Sequence, residues 1–582
     1  MAQLSKKGLI RFNVDNKEVN APIQWGDLSI LMTYEGGNNQ ANVSITEIEI
    51  ADEGAKAFVD YVNEGRNGGL GIFEGLPVQF VIFNKDAQHV VDMYADLTDG
   101  YREELWRSRV FVNLVKKDGL NTLDNLVNGL SYGFLADKGV FTRNDSIDVN
   151  YVIEKNYEAI EILLAAITLY LMTKELVESA ERTADAINSA AAYLAAGATG
   201  GLAATIYTVG KAVITSIYTA AMLAIVVQLA TDLFNTFLPP LRTHKVLSYR
   251  KMIEKVVNYL GYPLNTSITE LDNYYNLPSN FNFDTLDPFG FIKKTEGTKS
   301  GIPQTQDSNY LVSSFFSQIR DMFFANFAIV SGVVELHNRE SDFWKAQSSY
   351  VMPSVLEKPK EYNTNDLVAL RNISFATDVK DEYTISNFTG TNYEINTDAR
   401  VVKNRDAKFI KGFDNINIPV SLGNRRDELS PLESALSVLA GVVDKVTVGV
   451  TNFKKRIENK IGSLKVSSNN TNVKVLYLKN GKLPQNHRTF LSAKYLYDKY
   501  GTYNSFVENN FGGQKAVFNN INIPFGFSDF LQMIDSNYFT DDLGKESQAE
   551  SVEYNVKSDR ATISYTNKEV YTTNLIETKR EG

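Results

Sequence analysis

Cysteine is absent from all 582 residues, which excludes disulfide scaffolds, thiol nucleophiles and thiolate metal sites. Histidine is scarce: His89, His244, His337 and His487 are the only imidazoles, and none stands in an HExxH pattern or at metal-ligand spacing. A histidine-based triad or metal site would have to be assembled from unrelated segments, so structural or surface roles are expected for all four. Positive charge is in deficit too. Lys and Arg total 59 against 69 Asp and Glu, and a net charge of −10 argues against gripping phosphate backbones as the main task, although an acidic wall suits a tube through which DNA slides. Residues 1–8 hold Lys6 and Lys7 but no apolar stretch behind them, so no secretory signal is read and the mature chain is expected to begin at or near Met1.

Motifs that carry chemistry are also missing. No GxxxxGK[ST] loop occurs, and Gly68-Gly69-Leu70-Gly71 lacks both a lysine and a following helix to hold phosphate. One GxSxG stands at Gly129-Leu130-Ser131-Tyr132-Gly133. A nucleophile elbow needs a strand before it and a helix after it. Here Leu120, Leu123, Leu126 and Val127 have helical spacing, and Asp137-Lys138-Gly139 leaves little room for a helix, so a chance match is expected. Asp96 with Asp99, and Glu103 with Glu104, flank Gly100 in what reads as a turn and are taken as solvated carboxylates rather than a glycosidase pair. Asp145 with Asp148 has neither the spacing nor the glycine of a calcium loop. No catalytic residue, metal site or cofactor is expected, and the chain does not read as an enzyme.

What is present is material for real cores. The chain is 43% hydrophobic, and at about 150 residues per domain its length allows three to four domains. Residues 9–14, 28–32 and 41–50 read as half-buried strands, with Val43, Ile45, Ile48 and Ile50 apolar among polar neighbours. Behind the acidic Asp52 and Glu53, the spacing of Ala55, Phe58, Val59 and Val62 predicts a short amphipathic helix. Strands over 78–83, 89–97 and 107–115 follow, and the set predicts a small antiparallel barrel or sandwich with one helix laid across it.

Composition then breaks sharply, since residues 186–231 carry a single charge, Lys211. That is room for two spans of about 20 residues each, the length a bilayer demands. Residues 212–231 are strongly apolar, including Ala212, Ile217, Leu223, Val226 and Leu229, whereas 186–210 are rich in small residues with Gly197 and Gly201 at small-xxx-small spacing. Two readings stay open: a hydrophobic hairpin that enters a membrane or lines a lumen, and a buried helical bundle. The mean hydropathy of −0.21 makes any membrane element conditional.

Further on, Leu311, Phe315, Phe316, Ile319, Met322 and Phe323 predict an amphipathic helix, followed by apolar runs 325–330 and 333–336 joined by Ser331-Gly332, a hairpin signal. Strands are expected at 383–388 and 394–402, and a helix at 490–499. Ser430-Pro431-Leu432-Glu433 is a helix start with a capping box. After it, Leu432, Leu436, Leu439, Val443, Val446, Val450, Phe453 and Ile457 alternate in steps of four and three, a heptad seam weakened by Gly441 and Gly449. It reads either as an amphipathic helix on its own domain or as a coiled coil about an oligomer axis. A helix starting at Ser528 and closing strands at 551–555, 561–566 and 569–573 complete the chain.

The segment from Phe12-Asn13-Val14-Asp15-Asn16 through Leu76-Pro77-Val78-Gln79-Phe80 to Lys116-Lys117-Asp118-Gly119-Leu120 resembles a tail-tube-type barrel. The helix and hairpin at 311–336 and the terminal Tyr571-Thr572-Thr573-Asn574-Leu575 are similar to those of bacteriophage tail-hub or baseplate-hub proteins, above all hubs of phages infecting Bacteroidetes, crAss-like phages among them. The resemblance covers about half the chain, at its two ends, and the hydrophobic insertion departs from it. With the elements read above, the expected fold is α+β, several small antiparallel β-barrel or sandwich domains with an inserted hydrophobic helical segment and a long heptad helix. The expected division is 1–145 tail-tube-like barrel, 146–260 hydrophobic helical insertion, 261–425 mixed α/β domain with second barrel elements, 426–462 heptad helix, and 463–582 C-terminal β-rich domain. The implied role is a structural virion protein of the phage tail. It closes or extends the tail tube, forms a homotrimer or larger ring, and joins tube, spike, fibre or tape-measure proteins. No sequence-specific nucleic acid is implied. The alternative is a membrane-active ejection or pore-forming protein that uses the hydrophobic hairpin 186–231, with conditional contact with a host membrane.

Overall fold

The computed structural model describes residues 10–23, 28–34, 41–66, 75–84, 87–117, 120–154, 241–277, 311–339, 341–344, 347–356, 358–363, 368–377, 392–396, 411–429, 433–434, 437, 440–441, 444, 452–467, 473–501 and 515–568. The expected strand at 383–388 and the closing strand at 569–573 lie outside them.

The N-terminal strands are Ile10–Val14 (β1), Lys17–Val19 (β2), Ser29–Thr33 (β3) and Asn42–Ala51 (β4), then the helix Asp52–Arg66 (α1), then Leu76–Asn84 (β5), Ala87–Asp96 (β6) and Arg109–Lys116 (β7). Asp15 and Asn16 both take positive φ, the twist that lets a two-residue turn join β1 to β2. In β4 the apolar spacing of two, three and two has a physical cause. The register with β7 shifts between Ile45 and Ile48, so a bulge absorbs one extra residue and keeps Val43, Ile45, Ile48 and Ile50 all buried. Ala55, Phe58 and Val62 of α1 pack into the same core, as the amphipathic spacing predicts.

In the middle of the chain, Leu264–Thr266 (β8) runs parallel to Val333–Asn338 (β10), which pairs antiparallel with Ala325–Val330 (β9), the strand that follows the helix Val312–Phe323 (α2). Ser331 and Gly332 take positive φ and form the two-residue turn between β9 and β10, as expected. Phe315, Phe316, Ile319, Met322 and Phe323 are fully buried, and Phe316 stacks on Phe327 at 4.5 Å. Leu311 departs from the expected face: it is the exposed residue preceding the helix.

The C-terminal elements are Lys515–Pro524 (β11), Phe527–Ile534 (α3), Tyr538–Thr540 (β12), Glu546–Asn555 (β13) and Arg560–Lys568 (β14). They do not stand apart from the N-terminal strands. β13 pairs with β3 from Ser551↔Thr33 to Asn555↔Ser29, so one barrel-like sheet runs Glu361–Asn363, β11, β14, β13, β3, β4, β7, β6, β5, β1, β2. Phe58 of α1 and Phe530 of α3 share its core.

A second, smaller sheet has the order Ser421–Leu422, Lys474–Tyr477, Tyr274–Leu277, Arg242–Ser248, Ile147–Glu154, Leu464–Ser467, Asn424–Arg425. It begins and ends on one stretch of chain, with only Gly423 between the two pieces, so the sheet closes on itself as a barrel. Val149, Tyr151, Val246, Leu277, Leu464, Leu476 and Leu478 fill it. The outer parts of the segment 146–260, expected as a helical insertion, are therefore strands of this barrel, followed by the helix Tyr249–Tyr259. The helix expected at 490–499 is broken: Ser492 caps a new start with its hydroxyl accepting from Tyr495 N, dividing His487–Phe490 from Ala493–Leu496.

Candidate functional site

Of the heptad seam, Phe453 and Ile457 are described, while Leu432, Leu436, Leu439, Val443, Val446 and Val450 lie outside the described residues. Glu433, Ser434, Ser437, Ala440, Gly441 and Asp444 are helical. The path is not one rod. Asn452 is left-handed at φ 44°, a conformation asparagine tolerates, and the helix Phe453–Glu458 starts immediately after it. The carboxylate of Asp444 accepts from the backbone N–H groups of Phe453 (2.8 Å) and Lys454 (2.9 Å), satisfying donors that a helix start leaves free. A Cβ on Gly441 would lie 3.3 Å from Lys454 Cδ. Among the described residues, Asp444 thus meets the start of the helix Phe453–Glu458 while Glu433 approaches Lys460 just beyond its end. Phe453 and Ile457 are buried within the single chain.

A charge cluster pins the two ends of this fold-back. Arg426 donates to the Glu433 carboxylate and, through Nε, to the Glu428 carbonyl at 3.2 Å. Lys460 Nζ stands 3.8 Å from the other oxygen of Glu433 and, among the described residues, has no hydrogen-bond partner. Burial pushes the Lys460 ammonium down to about 8; Glu433 opposes the shift, while Arg426 and Arg456 add to it. Sequence reasoning missed Arg426, Asp444 and Lys460. The one signal available was an asparagine shortly after Gly449, where a helix can turn.

The hydrophobic segment, with Gly197, Gly201, Ala212, Ile217, Leu223, Val226 and Leu229, lies outside the described residues. Its two roots are described, however, and they are neighbours. Ile147–Glu154 and Arg242–Ser248 pair antiparallel, with Tyr151 opposite Arg242, so the chain leaves and re-enters the small barrel at one edge. Among the described residues no helix is long and apolar enough to cross a membrane.

The other residues singled out in the sequence have structural duties. Ser131 of the GxSxG caps the helix Tyr132–Asp137, its hydroxyl accepting from Phe134 N at 3.1 Å, and a helix, Leu120–Val127, precedes it where an elbow needs a strand. A short helix does follow, against expectation, because Ser131 provides its cap. Asp96 accepts from Thr98 N (2.9 Å), Thr98 Oγ1 (2.7 Å) and Asp99 N (3.2 Å), holding a turn. His487 is fully buried, and its Nε2 accepts from Arg425 N at 2.8 Å. Burial first, then the nearby Arg488 and Arg425, push its imidazole down to about 3. Among the described residues no three His, Asp or Glu side chains gather as metal ligands.

No protein-family model matches the chain, and no curated protein matches it. Among solved structures, prophage tail protein gp18 from Listeria monocytogenes EGD-e aligns over 98% of this chain and 98% of its own, at 8% identity and a TM-score of 0.29. The tail protein from Neisseria meningitidis MC58 aligns over 97% of each chain, at 7% identity and a TM-score of 0.29. At that score the backbones do not superpose as one fold, and neither protein lends this chain a role.

Proposed function

We propose that the chain is a structural protein of a bacteriophage tail, a hub that closes or extends the tail tube and joins it to other tail components. The observation that carries this reading is the pair of barrels in one chain: a barrel-like sheet with α1 laid across it, and a small barrel closed at Gly423. Tandem barrels are what the hub resemblance implies. Support also comes from the segments that carry the resemblance, because β1 pairs with β5 from Ile10↔Ile82 to Val14↔Val78, bringing the quoted Phe12-Asn13-Val14 beside Val78-Gln79-Phe80. The pairing of β13 with β3 joins N-terminal and C-terminal strands in one sheet, which suits a ring that bears load during DNA delivery. Partners on this reading are further copies of the chain in a homotrimer or larger ring, and tube, spike, fibre or tape-measure proteins. The place of action is the virion tail.

Light scattering on the purified protein tests the reading. A defined trimer or larger ring is expected. A stable monomeric wild type overturns it. The membrane-active alternative rests on the apolar run 212–231; binding to liposomes that depends on this run would favour it.

A further inference from the structure

The helix-and-hairpin unit carries an arrangement that the tail reading does not use. β8 and β10 run parallel with Asn265 beside Glu335, and alternate residues of a strand share a face. Asn265 and Ser267 therefore face Glu335 and His337 across the ladder, and the side chains complete a relay. Ser267 Oγ lies 2.9 Å from His337 Nδ1, His337 Nε2 lies 2.7 Å from Glu335 Oε2, and Asn265 Nδ2 donates to the same carboxylate oxygen at 2.9 Å. The backbone N–H of Ser267 also points at Nδ1, at 3.3 Å. An N–H donor fixes Nδ1 as the unprotonated nitrogen and leaves the proton on Nε2, facing the carboxylate. That is the tautomer a base needs.

The surroundings hold the imidazole still. Phe343 stacks on it at 4.5 Å, Trp344 meets it edge-on at 6.1 Å, and Trp344 Nε1 donates to the His337 carbonyl at 3.2 Å. His337 and Glu335 are buried while Ser267 is exposed, so a solvent-facing hydroxyl is backed by a buried base and a buried carboxylate. A nucleophile in reach of a base that a third group orients is the signature of activated serine chemistry.

We propose that Ser267, His337 and Glu335 form an activated-serine site that accepts acyl groups from esters with an acidic leaving alcohol, such as aryl esters. In the first step the Ser267 Oγ–acyl carbon bond forms and the ester C–O bond breaks. Nδ1 takes the hydroxyl proton and passes it to the departing alcohol. Water then adds to the acyl carbon as Nδ1 takes one of its protons, the Ser267 ester bond breaks as Nδ1 returns that proton to Oγ, and a carboxylic acid leaves. The substrate class follows from what surrounds Ser267. The next backbone N–H, that of Ile268, is engaged by Thr266 Oγ1 at 3.1 Å and so does not serve the developing oxyanion, which suits a good leaving group better than an amide.

The test is labelling of the full-length protein with a fluorophosphonate, in which a P–O bond to Ser267 forms as fluoride leaves. Peptide mass mapping should find the label on Ser267. Ser267→Ala should abolish it without changing the melting temperature, and His337→Gln should slow it about 100-fold, the usual share of a general base. Absence of label on Ser267, or an unchanged rate in a folded His337→Gln protein, overturns the proposal. If His337→Gln fails to fold, the cysteine-free chain offers a second measurement, because Ser267→Cys carries the sole thiol. Its alkylation by iodoacetamide at pH 6.5 should exceed that of Ser558→Cys, an exposed turn position, at least tenfold, since the thiolate is the reacting form. Equal rates overturn the site.

Discussion

Glu433 Oε1 stands 3.8 Å from Lys460 Nζ, so a segment whose heptad spacing predicts one extended rod brings its two ends to a single point. The cluster there holds two cations, Arg426 and Lys460, around one carboxylate, and the surplus charge sits in a dry place. Replacing a buried charge by an apolar side chain of similar reach often stabilises a protein, provided the remaining partner stays paired. Arg426 keeps Glu433 paired.

Lys460→Met is therefore expected to raise the melting temperature at pH 7. The ammonium is pushed from 10.5 to about 8 in the folded chain, so the unfolded chain binds more protons between those values and stability rises with pH across that window. At pH 7 the full penalty applies, on the order of 3 kcal/mol. Thermal melts from pH 7 to 10 should show the advantage of Lys460→Met over the wild type shrinking as pH rises. From about pH 9 upward the tyrosines act the other way on both proteins: Tyr34 and Tyr554 are raised by burial, ionise first in the unfolded chain, and stability is lost as pH rises.

His487 sets an acid limit. Its folded imidazole is held down to about 3 while the unfolded one titrates near 6.5, so its contribution is complete above 6.5 and is lost as pH falls toward 3. By pH 4.5 the loss should be about 3 kcal/mol. In His487→Gln the side-chain oxygen can still accept from Arg425 N, and that variant should lose less stability between pH 7 and 4.5 in urea titrations. Equal losses would remove His487 as the cause.

Closure of the small barrel depends on Gly423. A Cβ there would collide with Leu476 Cδ2 and lie 3.2 Å from the Val475 carbonyl oxygen and 3.3 Å from Leu464 Cδ1. Gly423→Ala should cost about 1–3 kcal/mol by overpacking. Leu476→Ala in the same chain should cancel part of that cost, because it removes the colliding methyl, and a double-mutant cycle in urea would read the coupling. Simple additivity would show that the methyl is not the obstacle.

Local patterns were legible and long-range closure was not. The helix and hairpin of 312–338 follow from period, an amphipathic stripe and a Ser-Gly turn, all within one short stretch. The bulge in β4 was visible as a spacing of three among twos. By contrast, steps of four and three are the same for a rod and for two helices folded together, so the break at Asn452 left no mark in the seam. The pairing of β13 with β3 joins the two ends of the chain, and Ser267 meets His337 across 70 residues. Such contacts depend on register between distant strands, which no local window contains.

The neighbouring roots of residues 155–240 give the final prediction. Since Ile147–Glu154 and Arg242–Ser248 are adjacent antiparallel strands, the segment between them occupies the place of a hairpin loop. A loop of two to five residues closes such a pair, and loop-closure entropy favours the shorter connection. Replacing 155–240 by Asn-Gly flanked by one or two serines should therefore keep the barrel core of Val149, Tyr151 and Val246 and leave the melting temperature equal or higher. Measured beside the wild type, the same variant separates the two functional readings. If it still forms the ring and liposome flotation is nil for both proteins, the segment is a part accommodated within the tail. If the wild type floats and leaks dye while the shortened chain does neither, the segment is the working element and the barrels are its carrier. Loss of folding would contradict the hairpin placement itself, because it would mean that the barrel needs the segment to close.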